Sequence, residues 1–219
     1  VVTITYRAHT KRVCVKKDAL PHTTEYPSST SLDAMRTQPG TSLAPEHPFM
    51  REHAESIKHT YATLPERIEA CAHVVKKTLN YGSPIPGLYS ALDTLTKKTV
   101  DCGGYSTLFI SLLIACGIPA RLVSGFWLNP GTTDGEKAMH AWVEVGMPDG
   151  SWLPVDLSVE ALREAGRTRR RGGIGIIDAD RLIVSVGSDL RIPVGATHIE
   201  TPLLQAPLLV NTSGELHMD

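Results

Sequence analysis

Between Cys102 and Cys116 the chain is apolar on nearly every side, with Leu108, Phe109, Ile110, Leu112, Leu113 and Ile114 leaving no polar stripe. A helix without a polar face belongs at the centre of a fold, and Gly117 followed by Pro119 ends this one. Upstream, helix-forming sequence runs from Pro48 to about Thr60 and again from Pro65 to about Leu79. In the second stretch Ile68, Cys71, Ala72, Val75 and Leu79 recur at three- and four-residue steps, so one stripe faces a core. Asn80-Tyr81-Gly82 stops it, and a further short helix is expected over Leu88–Leu95.

Downstream the period changes to that of strands. Arg121–Trp127 leads into a Gly/Asn/Pro/Asp loop, Asn129 to Lys137. His140–Val145 then turns at Pro148-Asp149-Gly150 into Trp152–Asp156, a hairpin signal between two alternating runs. Ile174–Ile177 and Leu182–Val186 are late strand candidates, and the Pro-interrupted tail to Asp219 reads as peripheral. At the other end, Val1–Tyr6 and Val13–Val15 are expected to pair as a short hairpin. A Pro/Ser/Thr/His-rich connection follows, from Asp18 to Pro48. The expected organisation is an N-terminal β piece with its connecting segment over 1–45 and a main core domain with a C-terminal tail over 46–219. The fold class is α+β, a central buried helix packed against an antiparallel sheet. There are no internal repeats.

Composition narrows the partners. Hydrophobic residues make up 42% and charged residues 21% of 219, and 22 basic against 23 acidic residues give a net charge of −1. That balance supplies no electrostatic argument for nucleic acid or an anionic membrane. No window approaches the roughly 18 apolar residues a transmembrane helix requires. The opening at Val1, with no charged-then-apolar leader, reads as a processed protein or a fragment. Four cysteines lie far apart with no CxxC pair. Cys71 and Cys116 read as small core residues, and a reduced, cytoplasmic protein is expected. No cofactor is implied, and a Cys/His/Asp metal site lacks the short ligand pair that most zinc sites use.

Cys102 is the residue whose position suggests chemistry. At the start of a buried helix, the positive end of the dipole stabilises a thiolate. First-turn amides would face an oxyanion, and Gly103 and Gly104 would leave room for a substrate backbone. His140 opens a strand after a loop, and Asp156 lies one hairpin on, so the two can be cross-strand neighbours. Imidazole suits protonation of a leaving amine, and a carboxylate fixes its tautomer. The order Cys, His, Asp with separations of 38 and 16 residues suits helix, strand, strand. Each residue alone has a plainer reading: a buried helix cysteine, a strand-end histidine, an aspartate capping a turn with Ser158. Trp142 shares the strand face of His140 and can shield it. The arginine run 167–171 reads as a solvated loop with a minor chance of meeting an acidic partner, and Asn211-Thr-Ser213 is an isolated glycosylation-like motif.

Three segments together, from Cys102-Gly103-Gly104-Tyr105 to Pro119-Ala120-Arg121, His140-Ala141-Trp142-Val143-Glu144-Val145 and Trp152-Leu153-Pro154-Val155-Asp156, resemble the core motifs of the bacterial transglutaminase-like superfamily. The likeness covers about residues 45 to 190. It implies a papain-like fold with Cys102 as nucleophile, His140 as base and Asp156 as orienting acid. It also implies a side-chain oxyanion donor upstream, for which Tyr81 and Tyr89 are the candidates, while Gly103 and Trp142 are read more broadly as oxyanion or substrate positions. Gly187-Ser188-Asp189 is similar to a glycine-and-aspartate strand late in that core, and Tyr26 to Thr30 to the tail of a preceding β-domain. Gly103 and Leu157-Ser158 depart from the commoner residues of those motifs and leave the substrate open. The leading expectation is a cysteine-dependent amide hydrolase, a protease or peptidase acting on a protein or peptide through a thioester. The alternatives are a protein-glutamine acyltransferase using an amine acceptor and a catalytically idle binding domain.

Overall fold

Each helix starts where the sequence supplies a cap. In the computed structural model, which describes residues 8–26, 41–128, 139–205, 209–210 and 216–217, helix α1 (Pro48–Thr60) begins at His47, whose side chain accepts from the Phe49 amide. Helix α2 (Leu64–Thr78) has a reciprocal capping box between Thr63 and Glu66. Its stripe of Leu64, Ile68, Cys71, Ala72 and Val75 is buried as the three- and four-residue spacing requires. Helix α3 (Ala91–Lys97) starts three residues later than the pattern over Leu88–Leu95 suggests, because Ser90 caps it through the Asp93 amide and leaves Leu88 and Tyr89 in extended approach. Helix α4 (Cys102–Ala115) is buried from Gly103 to Leu113 and packs on α1, α2 and α3. A helix apolar on every side thus has neighbours on every side, each buried Leu, Ile or Phe contributing about 1.5–3 kcal/mol.

The strands form one principal sheet. β1 (Val13–Cys14), β2 (Asn80–Tyr81) and β3 (Thr99–Val100) are short. The sheet itself contains β4 (Ala120–Trp127), β5 (Met139–Gly146), β6 (Trp152–Val155) and, after β7 (Ile176–Ile177), β8 (Arg181–Val186). Its order is β6-β5-β4-β8, antiparallel throughout, and α4 lies against β4 and β5. The Pro148-Asp149-Gly150 turn joins β5 to β6 with Gly150 at φ +85°, a left-handed conformation that glycine adopts freely. Parallel pairing of β2 with β3 ties the end of α2 to the chain entering α4.

Two parts of this frame differ from expectation. Val13–Cys14 pairs with β7, Val13 opposite Ile177 and Cys14 opposite Ile176, while the expected partner, Val1–Tyr6, lies outside the described residues. Ile174 makes only an isolated bridge to Val155, so the expected strand from Ile174 shortens to Ile176–Ile177. In addition, helix α5 (Leu157–Glu164) follows β6 directly, capped by Asp156, where only a strand end was expected. Beyond β8, β9 (Leu190–Val194) and β10 (Thr197–Thr201) make a separate ribbon, and Leu203 returns to the core. A last pair, β11 (Leu209–Val210) with β12 (Leu216–His217), completes the described chain.

Candidate active site

The site is assembled where four elements end or begin. Cys102, half-buried, is the first residue of α4. Asp101 before it accepts from the Gly103 amide at 2.9 Å and the Gly104 amide at 3.3 Å on Oδ1, and from the Ile85 amide at 3.2 Å on Oδ2. Those two first-turn amides are therefore committed to the cap and do not face an incoming oxyanion. The glycines serve packing rather than the expected room for a substrate backbone: both are buried, a Cβ at Gly103 would meet Leu88 Cδ1 at 2.8 Å, and one at Gly104 would meet Val100 Cβ at 2.6 Å. Their small size lets the chain entering α4 lie close against its surroundings.

His140, the second residue of β5, is fully buried and donates from Nε2 to Asp156 Oδ2 at 2.7 Å. Its register opposite Gly125 on β4 brings Trp127 over the imidazole, with ring centroids 4.1 Å apart. Trp142, expected as the shield, is the more distant ring at 6.0 Å. Nδ1 is buried without a hydrogen-bond partner of ordinary geometry. With Nε2 taken by Asp156, it is the nitrogen left to interact with the Cys102 sulfur. Burial is the largest influence on the ring and disfavours its cation. The charges of Asp156 and Cys102, with their hydrogen bonds, together outweigh it and raise the His140 pKa to about 9.

Asp156 does two jobs at once. Oδ1 accepts from Ser158 Oγ at 2.9 Å and from the Val159 amide at 3.1 Å, the cap of α5. Oδ2 faces His140 and also receives Arg181 Nη2 at 2.6 Å. Burial pushes its pKa upward, but His140 and Arg181 overcome that and hold the carboxyl below its usual range. The capping reading and the orienting reading of Asp156 are thus compatible, one oxygen serving each.

Several residues here carried no signal that the sequence reading used. Arg181, at the start of β8, also donates to Asp180 Oδ1 at 2.6 Å and is 6% exposed. A lone arginine opening a strand looks like any solvated strand end. The helix α5 was readable from Asp156 followed by Glu160, with Val159 and Leu162 on one face. The arginine run lies against the site: Arg170 pairs with Asp180 and stands 4.7 Å over Trp127, and Arg167 donates to the Tyr81 carbonyl at 3.1 Å.

The two tyrosines separate. Tyr89 is buried and its hydroxyl donates to the Ser83 carbonyl at 2.7 Å. Tyr81 lies within the field of the site: burial first, then the charges of Cys102, Asp101 and Asp156, raise its pKa. All four cysteines are free thiols, and Cys71 and Cys116 touch in the core, sulfurs 3.6 Å apart. Among the described residues no cluster of three or more His, Cys, Asp or Glu is placed to hold a metal, and no helix is long and apolar enough to cross a membrane.

No curated protein matches the chain. Among solved structures, a candidate cysteine protease from Cytophaga hutchinsonii aligns with TM-score 0.52 at 17% identity, over 80% of this chain and 60% of its own. The periplasmic domain of TgpA from Pseudomonas aeruginosa aligns with TM-score 0.43 at 25% identity, over 58% of this chain and 49% of its own. The chain therefore spans about half to three-fifths of the length of these proteins. The first likeness supports the same α+β fold. The model of the transglutaminase-like superfamily matches residues 51–157, from α1 to the start of α5. The core that brings Cys102, His140 and Asp156 together belongs to the transglutaminase-like superfamily.

Proposed function

We propose that this chain is a thiol-dependent amide hydrolase in which Cys102, His140 and Asp156 act as a triad on a protein or peptide. The observation that carries the reading is the buried His140–Asp156 contact at 2.7 Å, with the same imidazole coupled by charge and hydrogen bonding to Cys102, the cysteine that begins α4. Membership of a superfamily whose enzymes are in general cysteine-dependent supports it.

In the proposed reaction the Cys102 thiolate attacks the amide carbonyl, forming a C–S bond and an oxyanion. The Cys102 backbone amide and the Tyr81 hydroxyl are the proposed donors to that oxygen. As the C–N bond breaks, His140 gives its proton from Nδ1 to the leaving amine, while Asp156 holds the ring through Nε2. Water, deprotonated by His140, then attacks the thioester, releasing the acid and regenerating the thiolate–imidazolium pair.

The test begins with iodoacetamide and peptide mapping of the intact chain. Cys102 should alkylate at least about tenfold faster than the buried Cys71 and Cys116 near neutral pH. Equal rates would remove the nucleophile from the proposal. Glutamine-bearing peptides offered with and without a primary amine then separate the outcomes. Hydrolysis predicts cleavage or deamidation that is little changed by the amine, and amine incorporation outrunning it would make the protein an acyltransferase instead.

A further inference from the structure

We propose that Arg181 is a positioning residue of this site, one that anchors the Asp156 carboxylate and limits how tightly it can hold the His140 imidazolium. The inference rests on the triad reading and adds a fourth charged member to it.

A guanidinium whose side chain is only 2% exposed is costly to bury unless it is fully paired. Arg181 is paired at its two terminal nitrogens, Nη2 lying 2.6 Å from Asp156 Oδ2 and Nη1 2.6 Å from Asp180 Oδ1, while its buried Nε has no hydrogen-bond partner among the described residues. Nη2 also reaches the Arg171 carbonyl at 3.5 Å, and its plane stands 5.9 Å from Trp142. Oδ2 is the same oxygen that accepts from His140. An ion pair placed only for stability needs no share of that particular atom.

Two effects follow from sharing it. Geometrically, Oδ1 is fixed by Ser158 and Val159 and Oδ2 by Arg181, so the carboxylate cannot swing away from the ring. Electrostatically, a cation on the far side of Oδ2 draws on the same negative charge that stabilises the imidazolium. The groups facing His140 from the packed elements are Cys102 at the start of α4, Asp156 at the start of α5, Arg181 on β8, and Arg170 behind Trp127. Of these, Cys102 and Asp156 favour a charged ring and the arginines oppose it. An imidazolium held too firmly would be a poor acid toward a leaving amine, since efficient transfer requires a proton affinity near that of the working pH. Arg181 keeps the proton transferable. Lysine would supply one charge but not the two-armed link to Asp156 and Asp180.

The experiment is an NMR titration of the His140 ring in the full chain, for wild type, Arg181→Met and Arg181→Lys. The midpoint should rise by about one unit in Arg181→Met, roughly a tenfold gain in proton affinity, and by a few tenths in Arg181→Lys. An unmoved midpoint in either folded variant, whatever happens to its Tm, would reduce Arg181 to a core ion pair and overturn the proposal. If Arg181→Met does not fold, Arg181→Lys carries the test. The titration needs no substrate, so it remains informative even if Cys102 alkylates no faster than Cys71 and Cys116. That result would sink the triad reading and leave the Arg181 measurement standing.

Discussion

Asp156 illustrates why single residues in this chain resist single roles. Its two oxygens divide the work, Oδ1 capping α5 through Ser158 and the Val159 amide and Oδ2 meeting His140 and Arg181. Asparagine keeps a carbonyl oxygen for the cap but replaces Oδ2 by a neutral amide or, if flipped, loses the cap instead. Under the proposed mechanism Asp156→Asn should lower kcat by about 10³- to 10⁴-fold, because the imidazole loses its preferred tautomer and its counter-charge. Asp156→Ala should lower Tm further than Asp156→Asn, since alanine removes the cap as well. Steady-state rates on a cleaved amide, with melting curves for both variants, check the pair. An Asp156→Asn enzyme of near wild-type kcat would exclude Asp156 from the mechanism.

At the scale of elements, what matters is how β4 and β8 are brought together. The register between them shifts at Ser124/Gly125, and a Cβ on Gly125 would sit 1.8 Å from the Leu182 carbonyl oxygen. That obstacle is backbone, which cannot step aside as the Leu88 side chain can at Gly103. Gly125→Ala should therefore destabilise the chain by roughly 2–4 kcal/mol and disturb Arg181, whereas Gly103→Ala should lose less. Chemical denaturation of both variants tests the ordering, and equal losses would contradict it. Helices α1, α2 and α4 and strands β4 and β5 were legible because each is long, strongly patterned and capped or turned by local residues such as Thr63, Gly117 and Gly150, whereas α5 was read only as a strand end. Cys102, His140 and Asp156 were legible because each sits at an element boundary within three short motifs. Arg181 was not, because its contact with Asp156 bridges 25 residues through a register shift that no local pattern encodes. Trp127 was missed for a related reason. Same-strand alternation pointed to Trp142, while the closer ring comes from the neighbouring strand opposite a glycine.

For the whole molecule, the consequence of gathering Cys102, His140, Asp156 and Arg181 in one interior site is that folding and proton binding are linked. His140 has a folded pKa raised from an ordinary 6.5 to about 9. Below about 6.5 the ring is protonated in both the folded and the unfolded chain, and its stabilisation is fully present. Between 6.5 and 9 the unfolded chain releases the proton that the folded chain retains, so stability declines with rising pH and the contribution is gone above about 9. Asp156 behaves in the opposite sense. Its folded pKa is lowered, so its stabilisation is complete above the ordinary aspartate value of about 3.9 and is lost as pH falls toward the folded value. For these two groups together the optimum lies between about pH 4 and 6.5. Tm should fall by on the order of 5–10 °C from pH 6.5 to 9 in the wild-type chain. His140→Gln should have a lower Tm at pH 6 and a flatter profile over that interval, because the group that exchanges the proton is gone. Melting curves at half-unit steps across this range decide the matter: a wild-type Tm that does not decline, or a His140→Gln profile with the same slope, would show that the buried imidazole does not couple folding to pH.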